Sequence, residues 1–234
     1  MRTLGPILGA LILGSVLVIT SRGSMKPGPA ASPEHAAMHF HLGRYQRLSG
    51  QPDKAVESLR RALACQPESY GARAELGTVL VRLGQRDEAA KQFEAALALR
   101  PDHAESHCGL ANLLLAQSKA AEACEHYRQA LQTEPDELSA LNNLAWVLST
   151  SNDTELRDGK TAILHAERAA GLTKHEQPFL LMTLAAAYAA GDRFPDAIAT
   201  AETALHLAEG AGNEGLATML KAQLTAYHNG TALR

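Results

Sequence analysis

A stretch of 13 residues that the chain repeats at a fixed interval decides the fold. It reads AVESLRRALACQP at residues 55–67, AAKQFEAALALRP at residues 89–101 and ACEHYRQALQTEP at residues 123–135. Each copy has two alanines seven residues apart, a large residue between them and a closing proline. Alanines let two helices approach closely, and proline cannot extend the helix that it follows. The stretch therefore predicts a short helix packed closely against a neighbour.

A leucine followed by a small residue precedes each copy. The leucines lie 34 residues apart, at Leu42, Leu76, Leu110 and Leu144, and the small residues are glycine or alanine. Each repeat thus predicts two antiparallel helices, with the large residue of the second helix filling the gap between them. One pair cannot bury its apolar face alone, so neighbouring pairs must stack.

Period and motif together resemble the tetratricopeptide repeat family over residues 36–211. The resemblance implies an all-α fold, a right-handed α-solenoid of about five helix pairs. The predicted units are residues 36–69, 70–103, 104–137, 138–177 and 178–211. A capping helix and tail follow at residues 212–234, because an exposed terminal face of a solenoid would aggregate.

The fourth unit departs from the regular spacing. Its matching alanine, Ala162, follows Leu144 by 18 residues, where the earlier units have 13. The five extra residues fall in the polar stretch STSNDTELRDG, residues 149–159. Asp158 near its end is predicted to cap the next helix. We interpret this elongated turn as structural.

The N-terminal segment differs in composition from the repeats. Residues 4–20, LGPILGALILGSVLVIT, carry no charge over 17 positions, the lower limit for crossing a bilayer. Residues 1–20 are therefore predicted to form a hydrophobic helix that anchors the chain as a single-pass membrane protein. A cleaved signal peptide is the alternative, because Ser21 and Gly23 are small. Residues 21–34, rich in Pro, Gly and Ser, predict a flexible linker, with the repeats extracytoplasmic or periplasmic.

Several classes of function find no support in the sequence. The net charge of −3 gives no basic footprint for nucleic acid, and three scattered cysteines argue against a disulfide framework or a zinc site. The sequence DGKT at residues 158–161 lacks the earlier glycine of a phosphate-binding loop. We expect no enzyme activity, cofactor, metal or small-molecule substrate; a metal-dependent enzyme using the histidines is the remote alternative.

The stretch LNNLAWVL, residues 141–148, raises the question of a binding site. On a helical wheel Asn142, Asn143 and Trp146 fall away from the packing stripe around Leu144. In the family that the chain resembles, this face of the first helix lines a concave groove that binds an extended peptide. An asparagine amide both donates and accepts hydrogen bonds, and tryptophan adds a broad apolar surface. The alternative is that the adjacent asparagines pack neighbouring repeats.

The same positions in the other units complete the predicted peptide groove. Its residues are Phe40, Arg44, Arg47, Arg82, Asn112, Asn142, Asn143 and Trp146, together with His41, Thr78, Cys108, Phe179 and Met182. One end of the groove is thus expected to be basic, the middle rich in amides and the far end apolar.

The predicted function is a membrane-tethered scaffold that binds a protein or peptide partner in this groove. The alternative is an accessory or assembly subunit of an envelope complex, docking through its anchor or its convex face.

Overall fold

A computed structural model describes residues 32–233 of the chain. These residues form eleven α-helices and no strand. The helices are α1 Pro33–Leu48, α2 Pro52–Cys65, α3 Tyr70–Arg82, α4 Arg86–Leu99, α5 Ala104–Ala116, α6 Ala120–Thr133, α7 Leu138–Thr150, α8 Gly159–Leu172, α9 Pro178–Ala190, α10 Phe194–Gly210 and α11 Glu214–His228. The segment predicted to enter the membrane, and most of the linker, lie outside the described residues. Within residues 32–233, no helix has the length and apolarity needed to cross a membrane.

Each helix packs against the next one along the chain, so that α1 to α10 form five pairs. The first helices of successive pairs also meet: α1 contacts α3, α3 contacts α5, and α7 contacts α9. The predicted all-helical solenoid is confirmed.

Side-chain caps determine where several of these helices begin. Ser69 accepts a hydrogen bond from the backbone N–H of Ala72 at 3.3 Å, which starts α3. Asp158 accepts from the backbone N–H of Thr161 at 3.0 Å, so its predicted role as the cap of α8 is confirmed. Each cap satisfies one of the N–H groups that a helix start leaves without a partner.

Close contact between a small residue and a large one sets the distance between helices. The ring of Phe93, on α4, lies between Gly77 on α3 and Gly109 on α5. A Cβ atom added to Gly77 would lie 2.8 Å from Phe93 Cε1, and one added to Gly109 would lie 2.6 Å from Phe93 Cε2. Leu59 of α2 lies equally close to Gly43 of α1, at 2.7 Å from an added Cβ. The glycines are therefore required because the large side chains leave no room for a methyl group.

Stacking between units buries the repeated leucines. Leu76, Leu110 and Leu144 are 2%, 7% and 0% exposed, whereas Leu42, at the same position in the first unit, is 42% exposed. Within residues 32–233 no unit precedes α1, which accounts for the greater exposure of Leu42 in that range. At the other end α11 packs on the last pair, and its own Leu220 is completely buried in that contact. Burial of each repeat thus depends on its neighbours.

Substitution of Gly109 by alanine tests the close approach of the second and third units. Gly109→Ala should lower the free energy of unfolding by about 1–3 kcal/mol relative to Gly171→Ala, because only the first methyl group overpacks the interior. Gly171 lies in the last turn of α8 with no atom within 4 Å of an added Cβ, so its variant adds a methyl group without overpacking. Urea unfolding followed by circular dichroism measures both. Equal stabilities would show that Phe93 moves aside without cost.

Candidate functional site

The first helices of the pairs, α1, α3, α5, α7 and α9, form one continuous surface, which we call the first-helix surface. Side chains link its neighbours along the row. Arg47 on α1 forms an ion pair with Glu75 on α3, with 2.5 Å between Nε and Oε1. Farther along, Asn143 on α7 donates a hydrogen bond to Asn112 on α5 at 2.9 Å. Each predicted groove residue belongs to one of these five helices.

A network of amides and one phenol occupies the middle of the first-helix surface. The hydroxyl of Tyr127, on α6, donates to Oδ1 of Asn112 at 2.5 Å. Nδ2 of Asn143 donates to the same Oδ1 and also to the Tyr127 oxygen, at 2.9 and 3.2 Å. Burial raises the pKa of Tyr127, which keeps its hydroxyl protonated as a donor. The network fixes the orientation of Asn112, whose side chain is exposed.

Asn142 lies behind this network and not on the open surface. Only 3% of the residue is exposed, and its Nδ2 donates to Oδ1 of Asn143 at 3.1 Å. Its own Oδ1 is buried without a hydrogen-bond partner among the described residues. Asn142 therefore supports Asn143 between neighbouring repeats, which corresponds to the packing alternative. Because it is buried, the side chain of Asn142 is not accessible to a bound peptide in this structure.

Two further residues of the predicted groove are also buried, for the same physical reason. Cys108 is 7% exposed and its thiol lies 3.6 Å from Oε2 of Glu137, at the start of α7; Met182 is 2% exposed. A wheel of one helix omits the other helices packed around it, which bury these side chains. Burial and the nearby Glu137 raise the pKa of the Cys108 thiol, so it stays protonated. All three cysteines are free.

The basic end of the first-helix surface carries fewer free charges than the sequence suggests. The charge of Arg47 is balanced by Glu75, a residue that is only 5% exposed. Arg82 donates to the backbone oxygen of Arg47 at 3.2 Å, and Arg44 lies 5.7 Å from the ring centre of Phe40. Arg44 and Arg82 are exposed, so these two side chains can meet a carboxylate of a partner.

Trp146 is half-buried and lines a cavity of about 650 Å³ beside the α5–α6 turn. The other side of this cavity is the elongated turn after α7, here called the unit-four loop, residues 151–158. Trp146 thus contributes to a depression at one edge of the first-helix surface, next to the amide network. Of the remaining predicted groove residues, Phe179 is 52% exposed at the start of α9, and Thr78 lies 3.4 Å from Glu105 on the neighbouring first helix.

Sequence reasoning missed three participants. The repeat pattern gives Glu75 and Tyr127 only a packing role. Their polar atoms bind side chains that are distant in the sequence: Glu75 accepts from Arg47, 28 residues earlier, and Tyr127 accepts from Asn143, 16 residues later. The unit-four loop was read as structural, yet it lines a cavity. The five-residue departure from the repeat was the only available signal for it.

His107 on α5 and His126 on α6 form a pair between the two helices of the third unit. Nδ1 of His107 lies 2.9 Å from Nδ1 of His126, so one of these nitrogens carries the shared proton, and His107 Nε2 is 2.9 Å from the Pro101 oxygen. Burial and His107 lower the pKa of His126, against the opposing effect of Glu125 and Glu122. In residues 32–233 there is no group of three or more metal-ligating side chains.

Removal of one hydroxyl tests the amide network. Tyr127→Phe should lower the free energy of unfolding by about 1–2 kcal/mol, because Asn112 and Asn143 lose a buried hydrogen-bond partner. Tyr45→Phe provides the comparison: it makes the same change at a side chain that is 65% exposed and makes no hydrogen bond within residues 32–233, so its cost should be smaller. Urea unfolding of both variants gives the two values. A Tyr127→Phe variant as stable as the wild type would contradict the network.

Comparison with known proteins agrees with this architecture. The sequence profile of the tetratricopeptide repeat family matches residues 30–70, 75–137 and 108–154, which together make up more than half of the chain. No curated protein matches the sequence.

Solved structures with the same fold differ widely in sequence. PilF of Pseudomonas aeruginosa is 20% identical, with a TM-score of 0.62 over 85% of this chain and 94% of its own. MamA of Desulfovibrio magneticus is 18% identical, with a TM-score of 0.62 over 77% and 98% of the two chains. A thermophilic repeat protein of Thermus thermophilus is 19% identical, with a TM-score of 0.57 over 80% and 97%. At such identities the likeness concerns the fold alone. With the profile match, the helix pairs and the small–large contacts, the chain belongs to the tetratricopeptide repeat family.

Proposed function

We propose that this protein is a membrane-tethered scaffold whose first-helix surface binds an extended segment of a partner protein. The tetratricopeptide fold fits a protein–protein interaction scaffold, and proteins with this fold are generally not enzymes. The observation that carries the proposal is Asn112, an exposed amide held in a fixed orientation at the middle of that surface.

The orientation of Asn112 leaves one group available to a ligand. Its Oδ1 accepts from Tyr127 and from Asn143, which determines where its Nδ2 lies. Within residues 32–233, Nδ2 of Asn112 is bonded to no acceptor. A backbone carbonyl of an extended peptide would supply one, and a donor that is already oriented loses little entropy on binding.

The two exposed arginines suggest the charge of the partner. Arg44 and Arg82 lie on α1 and α3, and Glu75 neutralises the arginine between them, Arg47. The positive ends of Arg44 and Arg82 favour a carboxylate, through charge-assisted hydrogen bonds. The partner segment is therefore proposed to carry an acidic residue toward α1 and a backbone carbonyl at Asn112.

Capture of the partner tests the role of Asn112. Asn112→Asp keeps the oxygen that accepts from Tyr127 and Asn143 but removes the exposed N–H donor and adds a negative charge. The full chain would be used to capture partners from crosslinked, detergent-solubilised cells. We expect recovery of the specific partner to fall about five- to tenfold, as for the loss of one buried hydrogen bond.

The matched control is Gln132→Glu, which makes the same chemical change at an exposed position of the second helix α6. It should capture the partner as well as the wild type. If the Asn112→Asp variant captured the partner as well as the wild type does, that result would contradict the proposal. That result would favour the accessory-subunit alternative, in which the protein docks through its anchor or its convex face.

Membrane attachment is proposed from residues 4–20, which carry no charge. The full chain should remain with the membrane pellet through an alkaline carbonate wash. Leu11→Arg with Leu17→Arg should release most of it, because each arginine in an apolar spanning helix costs about 2.5–3.5 kcal/mol. Leu11→Ile with Leu17→Ile is the control. Release of the wild-type chain by the wash would contradict the membrane tether. It would not bear on the proposal that the first-helix surface binds a partner.

A further inference from the structure

The cavity beside Trp146 lies where this chain departs from its own repeat. In the second unit α3 ends at Arg82 and α4 begins at Arg86, whereas in the fourth unit α7 ends at Thr150 and α8 begins only at Gly159. The extra residues make up the unit-four loop. This loop and the α5–α6 turn of the third unit stand on opposite sides of the cavity, which has a volume of about 650 Å³.

Internal hydrogen bonds hold the unit-four loop in place. The backbone N–H of Asp153 donates to Ser151 Oγ at 3.1 Å, and the N–H of Glu155 donates to Asp153 Oδ1 at 2.9 Å. At its end, the N–H of Asp158 donates to the backbone oxygen of Leu148 at 3.1 Å. The loop therefore forms a defined wall attached to α7.

The opposite wall contains a strained residue. Ser118 has a φ of 62°, in the left-handed region where the two preceding units place Gly50 and Gly84 with φ values of 72° and 75°. A residue with a Cβ atom is disfavoured there. The fifth unit places Asp192 at the same turn position, with a φ of 60°. At the rim of the cavity, Ser118 therefore adds a hydroxyl where the first two units have a bare backbone.

The cavity has an apolar floor and an acidic rim. Leu115, Trp146 and Leu156 line it and are half-buried. Its charged residues are Lys119, Glu122 and Asp153, all exposed. Lys119 Nζ lies 3.8 Å from Glu122 Oε1. The lysine and glutamate balance each other, so the negative charge of Asp153 is left at the rim.

We propose that this cavity is a second subsite, which accepts an apolar side chain of a bound protein segment followed by a lysine or arginine. The apolar side chain would pack on the indole of Trp146, and the basic residue would meet Asp153. The inference rests on the proposed function, since the same segment runs along the first-helix surface past Asn112 and Asn143.

The shape and exposure of the cavity favour a peptide segment as the occupant. Small molecules are held in sites that enclose most of their surface. Here the rim residues Ser118, Lys119, Glu122 and Asp153 are all exposed to solvent, so the mouth is open. An open depression suits one side chain of a larger ligand that lies across it. Its position next to the amide network allows one extended segment to reach both.

Trp146 is the only tryptophan of the chain, so its fluorescence reports directly on this cavity. The full chain in detergent would be titrated with the blocked peptide Ser-Gly-Leu-Lys-Gly-Ser. We expect a saturable shift of the Trp146 emission to shorter wavelength as the leucine excludes water from the indole. Replacing the leucine of the peptide with serine should weaken binding at least about fivefold, because the apolar burial is lost.

A second pair of peptides tests the preference of the cavity for a basic residue. Replacing the lysine of the peptide with glutamate should weaken binding about two- to fivefold at low salt, and the difference should disappear at high salt. Asp153→Asn keeps the oxygen that accepts from Glu155 but removes the charge, so it should also abolish this difference. Asp53→Asn, at an exposed position of α2 in the first unit, should leave the preference unchanged.

Blocking the cavity is the decisive variant. Ala121 lines it from an exposed position in the first turn of α6, so Ala121→Phe should fill the space without disturbing the core. It should remove the shift, while Ala222→Phe, exposed on α11, should not. The proposal would be overturned if the leucine peptide gave no saturable shift. It would also be overturned if the serine peptide gave the same shift, or if the Ala121→Phe variant still showed it.

The outcome for this cavity is separable from the outcome for Asn112. If Asn112→Asp abolishes partner capture while Trp146 does not respond to the peptides, only the cavity proposal fails. If Trp146 responds as expected while Asn112→Asp still captures the partner, the cavity stands as a binding site and the proposed role of Asn112 fails.

Discussion

The contact between one large side chain and the small residues that face it is the interaction on which the rest of this structure depends. In the first two units Leu59 and Phe93 fill the space left by glycines on neighbouring helices. The third unit has Tyr127 at this position, fully buried like the others. Its ring serves the same packing purpose, but its hydroxyl extends to Asn112 and Asn143. The position that packs helices in two units therefore also orients the candidate binding site in the third.

Because units bury one another, the two ends of the array formed by residues 32–233 differ. The leucine that is buried in later units is open in the first, at Leu42, whereas α11 closes the last pair. The stacking of units produces both the buried interior and the first-helix surface. Packing needs one stripe of each first helix, and the polar positions beside that stripe are free to vary. For this reason the same position of the first four units, at intervals of 34 residues, holds Arg44, Thr78, Asn112 and Trp146.

Much of the fold could be predicted from the sequence, because it depends on local rules. The spacing of leucines, alanines and prolines predicted the helix pairs, and the cap at Asp158 is confirmed. The site was harder to predict, since burial depends on the neighbouring unit. A wheel of one helix placed Asn142 and Cys108 on an open face, but packing with the other helices buries them. Membrane insertion of residues 4–20 stays a prediction, because that segment lies outside the described residues.

Site-specific photocrosslinking in cells can show which side of the array meets the partner. A photoreactive amino acid would replace Ala116, an exposed residue one helical turn after Asn112 on α5, so that Asn112 itself is kept. In a second strain it would replace Glu94, an exposed residue of the second helix α4. We expect a crosslink to one defined partner from position 116 and none to that partner from position 94. A partner crosslinked from position 94 but not from position 116 would contradict binding on the first-helix surface, since binding would then use the other side of the array.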